Sequence, residues 1–319
     1  MPLGFGCRAV SKSRLLFQLG FKLAARFFAF WNLWRIPSVI KFGHLIFFKT
    51  EEEISLIRQS CLLVSRTLAH IGSILRPGLT GVVIDREAET LIRDHHAVPA
   101  FKGYRGFPAT LCVSVNDVVV HGIPSDREFR EGDIVSVDCG VLMNGYHGDA
   151  AYTFAIGEIP AETMLLLQVT KASLYRGIAQ ATAGKRIGDV SYAIQHFVER
   201  DNGYAVVREL VGHGIGKSLH EDPEVPNYGK RGNGVLLKEG LVIAIEPMIN
   251  LGKKDIRQGD DGWTIRTADA TPSAHFEHTV AIRNGPADIL SDHHMVEAAV
   301  AANQALSPVR ALELSVASD

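Results

Sequence analysis

With 319 residues, 46% of them hydrophobic, the chain is long enough for one large domain or two and for a sizeable core. A net charge of −2 carries no global signature of nucleic-acid binding. The four cysteines, Cys7, Cys61, Cys112 and Cys139, form no C-x-x-C pair, which argues against a zinc knuckle or a disulfide framework and fits a reducing compartment.

Residues 1–49 stand apart. They carry Arg8, Lys12, Arg14, Lys22, Arg26, Arg35, Lys41 and Lys49 and no acid, with aromatics crowded at 27–34. Lys22, Arg26 and Arg35 leave no apolar span of about 20 residues. Three readings compete: an organelle presequence, a basic segment on a membrane or ribosome surface, or upstream sequence from a misplaced start. The third is favoured because the segment lacks cap and turn signals. It places the protein in the cytoplasm; a presequence would place it in an organelle.

At Thr50 the pattern changes. Thr50-Glu51-Glu52-Glu53 is a capping box, and Ile54, Ile57, Cys61, Val64, Leu68, Ile71 and Leu75 form a helical stripe that Pro77-Gly78 ends. A second helix is expected over about 82–95, with Ile84, Ala88, Leu91 and Ile92 on one face. Residues 101–108 are aromatic and glycine-rich, and strands are expected at Leu111–Asn116 and Val118–Val120, leading to His121. The apolar run Ile134–Val137 closes on Asp138, and Tyr146-His147-Gly148-Asp149 follows. A helix opened by Pro160 spans 161–179. Another follows Gly184, with Val190, Ile194, Phe197 and Val198. Then come Gly212-His213-Gly214-Ile215-Gly216, a second apolar run Leu241–Ile245 closing on Glu246, and His275-Phe276-Glu277-His278. The expected organisation is a basic extension (1–49), a catalytic domain (50–291), and a C-terminal helix over Met295–Ala305 with a tail frayed from Ser307-Pro308 (292–319).

Parts of the chain echo each other. Glu131 to Asp138 aligns without a gap on Glu239 to Glu246: Glu-Gly, an apolar run, then an acid. His147-x-Asp149 matches His275-x-Glu277, and His121-Gly-Ile matches His213-Gly-Ile more weakly. The helix after Gly184 matches the one over 82–95. Internal similarity of this kind points to two related halves facing each other. A carboxylate carried into an apolar interior is costly unless a cation neutralises it. Asp138, Asp149, Glu246 and Glu277 with His213 make an oxygen-rich set without thiolate. That set suits Mn2+, Fe2+, Co2+ or Zn2+ as a pair that activates water, a hydrolase design. His121 and His220 are the remaining candidates for binding a scissile carbonyl and moving protons.

Tyr104-x-Gly-Phe-Pro, Val120-His121-Gly-Ile-Pro, Asp138, His147-Gly-Asp149, Gly212-His213-Gly-Ile-Gly, His220-Glu221-x-Pro223, Glu246-Pro-Met and Glu277-His-Thr together resemble the methionine aminopeptidases over about Thr50 to Leu290. The spacing from His213 to Glu246 and the absence of N-terminal zinc-binding cysteines resemble the type 1 form. The resemblance implies an α+β pita-bread fold, two pseudo-symmetric halves around a dinuclear metal cleft. It implies Asp138 on one metal, His213 and Glu246 on the other, and Asp149 and Glu277 bridging. Glu246 would pass the proton. His121 would bind the scissile amide, and His220 the oxyanion. Tyr104, Phe107, Cys112, Leu219 and Trp263 would line the pocket for the initiator methionine. Asn116, Val118 and Ser273 match positions that hold a monovalent cation.

Implied substrates are nascent polypeptides with Met first and a small second residue, met by a monomer in transient contact with ribosomes, with no specific nucleic acid. Arg105, where many relatives have His, and Leu219, where some have an aromatic residue, depart from the pattern. Rival readings are an Xaa-Pro aminopeptidase or prolidase of the same fold, and a non-catalytic ribosome- or RNA-binding relative.

Overall fold

The computed structural model describes residues 45–310 and 312. The expectations for residues 1–44 and for the end of the tail lie outside the described residues.

Helix α1 (Glu51–Ile74) starts at the capping box: Glu53 N–H donates to Thr50 Oγ1 and Thr50 N–H to Glu53 Oε2, at 3.3 and 3.0 Å. Its stripe of Ile54, Ile57, Cys61, Val64, Leu68 and Ile71 is buried. Each such aliphatic side chain contributes roughly 1.5–3 kcal/mol by leaving water. Helix α2 (Gly81–Asp94) follows, capped by the Thr80 hydroxyl. Strands β1 (Val98–Pro99), β2 (Leu111–Val115), β4 (Ile134–Met143) and β5 (Tyr146–Ile156) form the first sheet. Strand β3 (Val118–Val120) joins a separate small sheet. Helix α3 (Ala161–Ile178) crosses to the second half, where α4 (Ile187–Gln195) runs on into a π turn, His196–Asp201.

The second half contains β6 (Ala205–Val206), β7 (Gly212–Gly214), β8 (Glu221–Val225), β9 (Val242–Ile245), β10 (Met248–Asn250), β11 (Ile256–Gln258), β12 (Ile265–Thr267), β13 (Ser273–His275), β14 (His278–Ala281) and β15 (Asp288–Ile289). The order β15-β14-β9-β7-β8 makes one sheet and β13-β10-β6 another.

The internal repeat is real in three dimensions. The Glu-Gly of each half is a turn with a left-handed glycine, Gly132 at φ 89° and Gly240 at φ 83°, a conformation other residues adopt only with strain. Three residues before each echoed glutamate, Glu128 and Leu236 form isolated bridges with Thr80 and Arg186, which precede α2 and α4. The halves meet along β5 and the β13–β14 strip. There Glu277 N–H donates to Ala151 O (3.0 Å), His275 N–H to Thr153 Oγ1 (3.0 Å), and Thr279 Oγ1 to Asp149 O (2.8 Å).

Three expectations need correcting. Asp138 does not close its strand, because β4 runs through it to Met143 and the β4–β5 hairpin continues to Tyr146. The C-terminal helix, α5, spans His293–Ala302 rather than Met295–Ala305, because the Asp292 carboxylate caps it by accepting from His294 N–H. The chain beyond it is not frayed at Ser307: Leu306–Ser307, strand β16, pairs with Ile156–Ala155 of β5. Asn303 Nδ2 fixes that turn by donating to the Gly72 and Leu75 carbonyls at the end of α1, groups a helix leaves without partners.

Contacts with the catalytic domain also begin upstream of Thr50 among the described residues: Ile46 bridges to Asp222, and Lys49 is buried. A chain shortened to begin at Ile46 is therefore expected to keep the parental kcat/KM and melting temperature, since every candidate site residue lies between Tyr104 and Glu277. Peptide turnover and thermal unfolding check this; a collapse of either would show that residues before Ile46 support the catalytic domain.

Candidate active site

Strand geometry explains how the acids converge. In the β4–β5 hairpin Asp138 lies opposite Ala151, and Asp149 opposite Gly140, so the two carboxylates are diagonal neighbours on one face. In the second half the strands break where the acids stand. Ile245 pairs with His278 and Met248 with His275, leaving Glu246-Pro247 facing Phe276-Glu277 between them. Pro247 has no N–H to continue the ladder, so the chain passes there from one sheet to the next. His213 comes from β7, beside β9.

The arrangement is poised for cations. Ligand atoms of Asp149, His213 and Glu277 all lie within 4.8 Å of one another. His213 Nε2 is 3.9 Å from Asp149 Oδ2 and 3.7 Å from Glu246 Oε1. His213 Nδ1 bonds the Gly214 carbonyl at 2.9 Å. A carbonyl only accepts, so the proton sits on Nδ1 and the Nε2 lone pair faces the acids, the tautomer a metal-ligating histidine needs. Asp138 Oδ1, Asp149 Oδ1 and Glu277 Oε1 are buried without a hydrogen-bond partner. Orphaned acceptors of this kind cost about 1–3 kcal/mol each, a cost that bound divalent cations would relieve. The donor set fits hard or borderline divalent ions.

Burial dominates the acid–base chemistry. It pushes the Asp138 carboxyl up to about 7. It raises Asp149, Glu246 and Glu277 well above the carboxylate range, and the neighbouring acids add to the rise. It lowers His213 to about 4, and lowers His220 to about 3 with help from His213 and Arg105. His121 is lowered by burial as well. A carboxyl whose pKa is raised by folding stabilises the fold below its unfolded value, and that stability is lost as pH rises through the folded value.

For Asp138 the window runs from the ordinary 3.8 to about 7. Metal-free protein is thus expected to lose on the order of a few kcal/mol across that window. Added Mn2+ should raise the melting temperature more at pH 7.5 than at pH 5. Melting curves with EDTA and with Mn2+ at both pH values check this; an equal rise would contradict it.

Beside the acids lies a cavity of about 150 Å3, a size that elsewhere accommodates one small apolar molecule. All five expected ligands, His121, His220, Tyr104, Phe107, Cys112, Leu219 and Trp263 line it. Strand β2 places Cys112 opposite Asp138. Burial and the neighbouring acids push its thiol well above 9, so Cys112 is an uncharged wall residue and no nucleophile. The β11–β12 hairpin carries Trp263. Asp261 Oδ1 accepts from Trp263 and Thr264 N–H, at 2.9 and 2.8 Å, and holds the indole edge-on to Phe107 with centroids 5.2 Å apart. Tyr104 Oη and His220 Nδ1 share a hydrogen bond of 2.9 Å. With the hydroxyl as donor, His220 keeps its proton on Nε2.

Some lining residues were not singled out from sequence. Phe101, marked in the sequence only as part of the aromatic 101–108 stretch, and Arg105, a departure from the family pattern, also line the cavity; Arg105 has φ at 48° and its guanidinium over the Tyr104 ring. Outside the cavity lining, His275 Nε2, buried without a hydrogen-bond partner, is 3.8 Å from Glu246 Oε2; its echo of His147 is its signal in the sequence. Asn116 and Ser273 are neighbours, the Ser273 amide donating to the Asn116 carbonyl at 2.9 Å. Their side chains are committed to protein partners, Asn116 to Asp133 and Ile134, Ser273 to Ile249 and Asn250. A monovalent ion there would have to rely on main-chain carbonyls.

Residues 55–284 match the model of metallopeptidase family M24. The chain is 50% identical over 243 residues to a methionine aminopeptidase of Clostridium perfringens, covering 76% of this chain and 97% of that protein. It is 44% identical over 247 residues to methionine aminopeptidase 1 of Bacillus subtilis, covering 77% and 99%. The solved structure of a methionine aminopeptidase from Thermotoga maritima superposes with a TM-score of 0.76 at 42% identity, covering 78% of this chain and all of that one.

Proposed function

The chain belongs to metallopeptidase family M24, and from that premise we propose that it removes N-terminal methionine from peptides and nascent proteins by metal-assisted hydrolysis. The observation that carries this reading is one cavity lined at once by the five ligand-type residues, two uncharged histidines and a small apolar wall. Asp138 would hold one divalent ion, His213 and Glu246 a second, and Asp149 and Glu277 would serve both. The ions, when bound, supply Lewis acidity and lower the pKa of water.

The remaining work belongs to side chains of this protein. The volume of about 150 Å3 suits a single side chain, which supports cleavage at the first peptide bond. Tyr104, Phe107, Cys112, Leu219 and Trp263 take the unbranched, polarisable methionine side chain. His121, neutral at pH 7 because burial lowers its pKa, hydrogen-bonds the scissile amide. His220 donates from Nε2 to the carbonyl oxygen as negative charge builds there, so its contribution appears in the transition state. The Glu246 carboxylate takes the proton of the attacking water and passes it to the departing amine.

Turnover of Met-Ala-Ser against an Ala-Pro peptide, both with Mn2+ added, tests the substrate class. Methionine release is expected from the first, with little cleavage of the second. The reverse preference would favour an Xaa-Pro peptidase.

A further inference from the structure

Glu221 follows His220 directly and does not line the cavity. Its carboxylate meets Lys49: Nζ lies 2.6 Å from Oε2, with the two side chains only 4% and 6% exposed. Holding two charges out of water is expensive unless their geometry is well satisfied, so the pair's surroundings matter. Glu221 Oε1 accepts from Ser218 N–H at 3.2 Å, which folds the Gly216–Glu221 loop onto itself.

Lys49 is fixed in turn. Its Nζ also donates to Phe47 O at 3.1 Å, and its N–H to Gly240 O at 2.7 Å. Ile46 bridges to Asp222 just beyond the loop. At the loop's other end, Gly216 O accepts from His147 N–H at 2.8 Å. A Cβ on Gly216 would lie 2.6 Å from Lys49 Cε and 2.7 Å from Glu221 Oε1, so the loop closes on the ion pair without spare room. The start of α1 joins the same clamp, because Tyr146 Oη donates to Glu53 Oε1 at 2.6 Å. Leu219 and His220 thus hang between two anchors, one on β5 and one on the segment before α1.

We propose that Lys49 is a positioning residue: through Glu221 it fixes the Gly216–Glu221 loop and with it the place of the His220 ring in the pocket. This rests on the role given to His220 above. A misplaced donor loses transition-state stabilisation steeply, about 10²-fold for a shift near 1 Å. A charge-assisted pair holds position better than a neutral one.

The test is a double-mutant cycle on the full chain with Mn2+ and Met-Ala-Ser, using Lys49→Met, His220→Ala and both together. Lys49→Met is expected to lower kcat about 10- to 100-fold, with KM and metal stoichiometry nearly unchanged. In the His220→Ala background the same change should cost almost nothing further, because the ring it positions is gone. An equal loss in both backgrounds, or parental kcat in Lys49→Met, would overturn the proposal and leave the pair a fold-stabilising contact. If Lys49→Met fails to fold, Glu221→Gln takes its place in the same cycle, since an amide oxygen still accepts from Ser218. His220→Ala with parental kcat would refute the role of His220 itself, and this inference with it; a strictly additive cycle refutes this inference alone.

Discussion

Asp149→Ala and Glu277→Ala are each expected to abolish peptide hydrolysis. Both acids stand at the seam between the halves, where Glu277 N–H donates to Ala151 O and Thr279 Oγ1 to Asp149 O, and both carry a buried oxygen without a protein partner. Removing either takes a charge away from both proposed ions at once. Without cations these carboxylates repel, since each raises its neighbours' pKa. The metal-free variants should therefore melt no lower than the metal-free parent at pH 7.5, which separates lost chemistry from lost folding. Metal content, methionine release and melting temperature measure this. Near-parental turnover with full metal content in either variant would refute the bridging assignment.

His220→Ala is expected to retain metal and lose about 10²–10³-fold in kcat, the scale for one oxyanion donor, with KM changed much less. His220 is held by contacts of its own. Its ring stacks on Tyr104 and lies 4.2 Å from the His213 ring, its Nδ1 is taken by the Tyr104 hydroxyl, and it lines the cavity together with Asp138 and Glu277. With a pKa near 3 it is uncharged throughout the working range, so the kcat loss should not vary between pH 6 and 8. Loss of both metals in the variant would make His220 a ligand or a structural support instead.

The sequence displayed the ligands because β-strand chemistry is local. An apolar run interrupted by an acid is legible in one dimension, and its repetition after Glu239 made chance a poor explanation. The left-handed glycines at 132 and 240 show why Glu-Gly recurs. What differed was strand continuity. Asp138 sits within an unbroken hairpin, whereas Glu246 stands at a break that Pro247 enforces. The echo concealed that difference, because it aligned residue types and not hydrogen bonds.

Pocket residues far apart in the chain, such as Phe107 and Trp263, were legible through family resemblance and not through spacing. Lys49 gives no sign of its place in the sequence for a related reason. Its neighbours in sequence are basic and aromatic, and its acidic partner stands 172 positions away. Ser307 was read as frayed because a two-residue edge strand leaves no periodic trace.

The most direct test of the account is metal titration of the protein stripped with chelator, with methionine release from Met-Ala-Ser followed in the same samples. No hydrolysis is expected before metal is added, then recovery with Mn2+, and binding that saturates at two ions per chain in the parent. In Asp149→Ala and Glu277→Ala the same additions should restore nothing. Methionine release by the stripped protein at the parental rate, with no response to metal, would contradict it.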